Sequence, residues 1–259
     1  MNELHDASKS VAEARSLPPF VLLHGGRHGG WCWRRVAQRL RAAGHEVYTP
    51  TLTGSGERAH LLGPDVGLDT HIRDLVSVFE YEDITDAILV AHSYGGMVAS
   101  GAMAEIWPRV RHLVYLDGLL PRTGESVLDM IGPVRSAGMT AIAARDGEGW
   151  YIPPADASYY GVGDPDDTAW MNRRLTAQPL KTYQDEVGST ERAWNHATTF
   201  IQCTSSSLEQ HVLDRARQRS VAAPQQFEYR LLGATHDAMV TAAPAVTELL
   251  LEVCRRSQP

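Results

Sequence analysis

The stretch Ala87-Ile-Leu-Val-Ala-His-Ser-Tyr-Gly-Gly-Met97 constrains the fold more than any other part of the chain. The apolar run Ala87 to Ala91 is too short for a buried helix and is bounded by turn residues, so it reads as a buried strand. It stops at His92-Ser93-Tyr94, and two glycines follow at once. A helix-compatible segment runs from Met97 to Ile106 and ends before Pro108. The order is strand, sharp turn, helix, with a serine at the turn.

The same alternation appears on either side. Pro19 to Leu23 reads as a short strand, followed by the loop His24-Gly-Gly-Arg-His-Gly-Gly30. Trp33 to Ala43 has helical periodicity and Gly44 stands where a helix C-cap belongs. His45 to Tyr48 is a brief strand. Leu68 to Tyr81 places Ile72, Leu75, Val76 and Phe79 on one helical face. Val110 to Asp117 is a strand closed by Gly118. Residues 119 to 195 break the pattern and contain no convincing strand. Alternation resumes with strand Thr198 to Cys203, a helix around Ser207 to Arg219, strand Phe227 to Leu232, a loop from Gly233 to Met239 and a last helix from Ala242 to Arg256. Strands alternating with helices imply an α/β fold, a mostly parallel sheet with helices on both faces. The expected organisation is a loose tail over 1–16, a core over 17–118 and 196–259, and an inserted helical cap over 119–195.

Composition narrows the function classes. At 259 residues and 43% hydrophobic content the chain can bury a sizeable core. A net charge of −7 argues against nucleic acid or an anionic membrane as partner. No apolar run approaches the ~18 residues of a membrane span, and Met1 to Leu17 lacks the apolar core of a signal peptide. Cys32, Cys203 and Cys254 are too few for a disulfide framework, which points to reduced thiols in the cytoplasm.

A serine is a weak nucleophile at neutral pH and needs a base, an orienting acid and donors for the oxyanion. Ser93 lies in an A-x-S-x-G variant of the nucleophile elbow G-x-S-x-G, with Ala91 in place of the first glycine. Of eleven histidines, His236 alone lies in a Gly-flanked loop after a late strand, so it is the base expected. The glycines of His24-Gly25-Gly26 free backbone N–H groups to meet a small anion. Those of Gly26 and Tyr94 are the expected oxyanion donors. His24 and His28, four apart, lack a third metal ligand nearby, and no metal is expected. The acid should fall at a strand end between residues 93 and 236. Asp117 is best placed; Glu209 and a water-assisted arrangement remain open.

Phe20-Val-Leu-Leu-His-Gly-Gly-Arg-His-Gly-Gly-Trp-Cys-Trp33, Ala91-His-Ser-Tyr-Gly-Gly96, Leu113-Val-Tyr-Leu-Asp117 and Thr235-His-Asp-Ala-Met239 together resemble the α/β-hydrolase superfamily, from residue 19 to the C-terminus. The branch they are most similar to comprises bacterial esterases related to plant methyl-ester esterases and hydroxynitrile lyases. The resemblance implies Ser93 as nucleophile, His236 as base and Gly26 and Tyr94 as oxyanion donors. The family often carries its acid after the strand that here ends at Cys203. This chain has Thr204-Ser-Ser-Ser207 there, which shifts the role toward Asp117, as in other branches. The lyases carry a threonine after the first-loop histidine and a lysine after the catalytic one; here those positions are Gly25 and Asp237.

The implied activity is hydrolysis of a small-molecule carboxylic ester through an acyl-enzyme, with no cofactor, by a monomer or homodimer. The alternatives are a lyase or cofactor-independent tailoring enzyme, and a small-molecule receptor of the same fold. Arg27 either meets a substrate carboxylate or points to solvent, and the usual exposure of arginine favours solvent. Trp150, Tyr151, Tyr159, Tyr160 and Trp170 are the aromatics expected near substrate beneath the cap; for any single one of them, packing the cap onto the core is the commoner use of a large aromatic.

Overall fold

The computed structural model describes residues 17–206 and 208–257; the expected tail over 1–16 lies outside them. The chain runs β1 (Phe20–Leu23), α1 (Arg34–Ala42), β2 (Val47–Tyr48), α2 (Leu68–Tyr81), β3 (Ala87–His92), α3 (Gly95–Ile106) and β4 (Val110–Leu116). An insertion follows, carrying α4 (Val127–Met130), α5 (Gly132–Asp146), β5 (Tyr151–Ile152), α6 (Pro165–Asn172), β6 (Gln178–Pro179), α7 (Lys181–Gln184) and α8 (Glu191–Trp194). The core then closes with β7 (Thr198–Ser205), α9 (Gln210–Ala222), β8 (Phe227–Thr235), α10 (Ala238–Thr241) and α11 (Ala243–Arg256).

Six strands form one parallel sheet in the order β2-β1-β3-β4-β7-β8. The period of two along each strand divides its residues between two cores. Val21, Leu89 and Tyr115 pack on one face with Leu75 and Phe79 of α2 and Met97 of α3. Phe20, Leu22, Ile88, Val90 and Val114 pack on the other with Val36 and Leu40 of α1 and Leu250 of α11. Both faces are dry, which is why the strands read as continuous apolar runs rather than alternating ones. No described helix is long and apolar enough to cross a membrane.

Three expectations are corrected. The insertion holds a two-stranded antiparallel sheet, β5 with β6. The last strand does not stop at Leu232 but continues through Gly233 to Thr235, because pairing with β7 resumes after a register shift and joins Ser205 to Thr235. The helix after β7 begins at Gln210 rather than near Ser207.

Candidate active site

The site forms where the carboxyl ends of the strands meet the insertion. β3 delivers Ser93 in a left-handed conformation (φ 50°), and α3 starts two residues later. Such a backbone is costly for a non-glycine residue and persists only where its surroundings hold it. Here the Ser93 carbonyl accepts from the N–H groups of both Gly96 and Leu119. Gly96 is required by crowding: a Cβ on it would lie 2.1 Å from the Leu119 carbonyl oxygen.

His236, at the end of β8, joins two partners. Its Nε2 lies 3.0 Å from Ser93 Oγ and its Nδ1 lies 2.5 Å from Asp117 Oδ2. An ionised carboxylate only accepts, so Nδ1 carries the proton and Nε2 is left to accept from the serine. Asp117 follows β4, also left-handed (φ 42°), and is fully buried. Cys203 N–H donates to its Oδ1 at 3.1 Å and Ser206 Oγ–H to its Oδ2 at 2.8 Å. The serine run after β7 therefore supplies a donor to the acid rather than the acid itself. Glu209 lines the same cavity but pairs with Arg135 at 3.2 Å, and no hydrogen bond joins it to His236.

The first loop is held from behind by two histidines. His24 Nδ1–H donates to the Gly25 carbonyl at 2.7 Å, while Nε2 accepts from Leu52 N–H at 3.0 Å. That pattern needs a neutral ring, and complete burial lowers its pKa to about 3. His28 differs. Its Nδ1–H donates to the Gly26 carbonyl at 2.7 Å and its Nε2–H to Asp237 at 2.9 Å, so both nitrogens are donors and the ring is an imidazolium. Burial would lower its pKa, but the adjacent Asp237 carboxylate outweighs that and raises it. Burial would likewise push the Asp237 carboxyl up, and the His28 charge and hydrogen bond hold it below its usual range. No described group accepts from the N–H of Gly26 or Tyr94, which leaves both free for an oxyanion. The Tyr94 ring is fixed by its hydroxyl, which donates to His71 Nδ1 at 2.9 Å.

His92, His236 and Asp237 bring ligand-type atoms within 4.8 Å of one another. His236 has both nitrogens engaged, His92 Nε2 donates to the His236 carbonyl, and Asp237 Oδ2 holds His28. Only His92 Nδ1 and Asp237 Oδ1 lack a hydrogen bond, the latter lying 3.6 Å from His92 Nε2, and two such atoms are fewer than the three protein ligands a zinc site takes. His24 and His28 are committed as described.

The cavity over Ser93 is lined by Gly26, Arg27, Tyr94 and His236 from the core and by Tyr159, Tyr160 and Tyr183 from the insertion, among others. Arg27 does not point to solvent; it is 5% exposed and faces the cavity. Trp150, Tyr151 and Trp170 do not line it. Trp150 donates to Glu148 and packs on Tyr151, and Trp170 stacks edge-on with Trp31 under Arg174. Sequence reading missed Ser206, Tyr183 and the His28–Asp237 pair. The serine run after β7 was the one available signal for Ser206.

A sequence model of the alpha/beta hydrolase family matches residues 20–248. Over 172 residues the chain is 45% identical to a carbendazim hydrolyzing esterase of Nocardioides sp. (strain SG-4G), covering 64% of this chain and 71% of that protein. It is 23% identical over 265 residues to a putative chloroplastic methylesterase 13 of Arabidopsis thaliana, covering 97% of this chain and 60% of that protein. Among solved structures it resembles an extracellular alpha/beta-hydrolase from a Paenibacillus species with a TM-score of 0.77 at 19% identity, over 91% of this chain and 98% of the other. That protein is described as sharing structural and functional homology with Tobacco Salicylic Acid Binding Protein 2.

Proposed function

This chain belongs to the alpha/beta hydrolase family, and from that premise we propose that it hydrolyses small carboxylic esters through an acyl-enzyme on Ser93. The observation that carries the reading is His236, which bridges the Ser93 hydroxyl and the Asp117 carboxylate with a defined tautomer. His236 Nε2 takes the serine proton as Oγ attacks the ester carbonyl carbon. The N–H groups of Gly26 and Tyr94 receive the oxyanion. The imidazolium then gives its proton to the departing alcohol, and Asp117 stabilises that charge without being protonated. Water, activated by the same nitrogen, releases the acid and restores Ser93.

The insertion acts as a cap whose tyrosines shield the reaction from bulk water. Similarity to proteins named as methylesterases supports methyl esters as substrates of this chain. A reaction of this kind needs no metal or organic cofactor. Three free, buried cysteines favour a reducing compartment, the cytoplasm. A lyase reading loses ground on geometry: a side chain at Gly25 would lie 2.9 Å from His92 Nδ1 and from Ser93 Cβ, and Asp237 is held by His28.

The test is p-nitrophenol release from short p-nitrophenyl esters. A burst equal to the enzyme concentration, abolished in Ser93→Ala, is the expected result. Binding of small ligands without turnover of any ester would defeat the hydrolase reading and favour a receptor.

A further inference from the structure

Among the described residues, the cavity contains one cation, Arg27, that no carboxylate pairs with. Arg135 and Glu209 both face the cavity and pair with each other at 3.2 Å. The groups that touch the Arg27 guanidinium are neutral. Its Nη1 reaches the Tyr160 hydroxyl at 3.4 Å, its Nη2 reaches Met139 Sδ at 3.3 Å, and the Tyr159 ring lies 5.8 Å from its Cζ. Its Nε is buried without a partner. No carboxylate among the described residues forms an ion pair with it.

A guanidinium cannot shed its proton, so burial without an anion is costly, and an apolar side chain would fill the space more cheaply. The chain also goes to some length to aim it. Arg27 is left-handed (φ 65°), a conformation rarely kept without support. Two insertion residues provide that support: Arg27 N–H donates to Gln178 Oε1 at 2.9 Å, and its carbonyl accepts from Thr176 N–H at 2.9 Å. Gln178 is itself buried and fixed by donating to Thr182. The fork is therefore prepositioned in the cavity, next to the oxyanion loop, with most of its donors unspent.

We propose that Arg27 is an anion subsite and that the substrate is an ester carrying a free carboxylate, that is, a monoester of a dicarboxylic acid. The planar fork matches the two carboxylate oxygens, and neutralisation on binding relieves the buried charge. The inference rests on the hydrolase reading for the word ester, but the anion subsite itself does not.

The experiment compares methanol release from monomethyl succinate, glutarate and adipate with release from their carboxamide isosteres. For the best-fitting length, kcat/KM of the half-ester should exceed that of the amide by about tenfold or more, carried mainly by KM. Arg27→Met should remove that ratio, and Arg27→Lys should retain part of it. An equal or inverted ratio in the wild-type protein, or an unchanged ratio in Arg27→Met, overturns the proposal. Should Arg27→Met not fold, the wild-type protein still decides. Glutarate should inhibit p-nitrophenyl acetate hydrolysis competitively at about tenfold lower concentration than glutaramide, and equal inhibition overturns the subsite. Calorimetric binding of glutarate separates the two readings. Anion-selective binding without turnover of any ester defeats the hydrolase and leaves the subsite standing. Turnover without selectivity does the reverse.

Discussion

Asp117 meets His236 at 2.5 Å and Asp237 meets His28 at 2.9 Å, both pairs out of water and joined through consecutive residues of one loop. The difference lies in the second ring nitrogen. His236 Nε2 faces the Ser93 hydroxyl, a group that can give up a proton, so the ring can cycle between charge states. His28 Nδ1–H faces the Gly26 carbonyl, which can only accept, so the ring stays charged. Under the proposed mechanism, identical residue types serve as a proton shuttle in one place and a static tie in the other. The static pair fastens the first loop, with Gly26, to the loop that carries His236. Position in the fold, rather than residue type, assigns the role.

The comparison breaks first at the shuttle. Ser93→Ala should lower kcat by about 10⁴- to 10⁶-fold with the melting temperature little changed, because nothing structural hangs on its Oγ. Asp117→Asn should cost about 10⁴-fold in kcat, since an amide favours the wrong His236 tautomer. Burst kinetics on p-nitrophenyl acetate measure both. Near-normal turnover in Asp117→Asn would remove it from the triad.

At the static pair the balance should reverse. Asp237→Asn leaves the His28 charge buried without its counter-ion, which should cost about 3–5 kcal/mol of stability, read by urea unfolding. Its loss of kcat should be far smaller than that of Asp117→Asn. A variant as stable as wild type would show that the pair is no tie.

Acid tests the same contrast across the buried histidines. His24, lowered to about 3, His112, lowered to about 4, and the depressed His92 and His71 prefer the neutral form in the fold. Their contribution is complete above the ordinary histidine value of 6.5 and is lost as pH falls toward their folded values. His28 has the opposite sign: its raised pKa adds stability below 6.5 that disappears as pH rises through the folded value. With His196, which burial also lowers, five groups against one predict a melting temperature that falls steadily from pH 6.5 toward 4. A flat profile over that range would contradict the neutral assignments.

Which parts of this arrangement were legible in the chain follows from how local each signal is. Ser93 and its strand–turn–helix are contiguous, and the core strands are fully buried runs with turn residues at both ends. Asp117 could be read because it ends one such strand before Gly118. β5 and β6 were not legible, since two residues each carry no periodicity. The direction of Arg27 was misjudged because Gln178 and Thr176, some 150 positions away, fix its backbone. Trp150, Tyr151 and Trp170 were misplaced for the same kind of reason. Their rings pack on close sequence neighbours or on Trp31 of the first loop, and only tertiary contact decides which aromatic faces the cavity.

Ser206 offers the finest test of the shuttle. It lies in the segment after β7 where the resemblance leads one to expect the acid, and its hydroxyl donates to the Asp117 oxygen that also meets His236. Its removal leaves the carboxylate with the Cys203 N–H on the other oxygen and His236 on this one. Hydrogen bonds to a charged group contribute about 1.5–3 kcal/mol, part of which the remaining partners recover. Ser206→Ala should therefore lower kcat by about tenfold, well short of the loss in Asp117→Asn. Ser206→Asp sharpens the point, because it puts a carboxylate after β7 beside Asp117. If Ser206→Asp rescues Asp117→Asn by tenfold or more, the two strand ends are interchangeable supports for His236. No rescue would mean that the reach from β4, set by the left-handed turn at Asp117, cannot be supplied from β7.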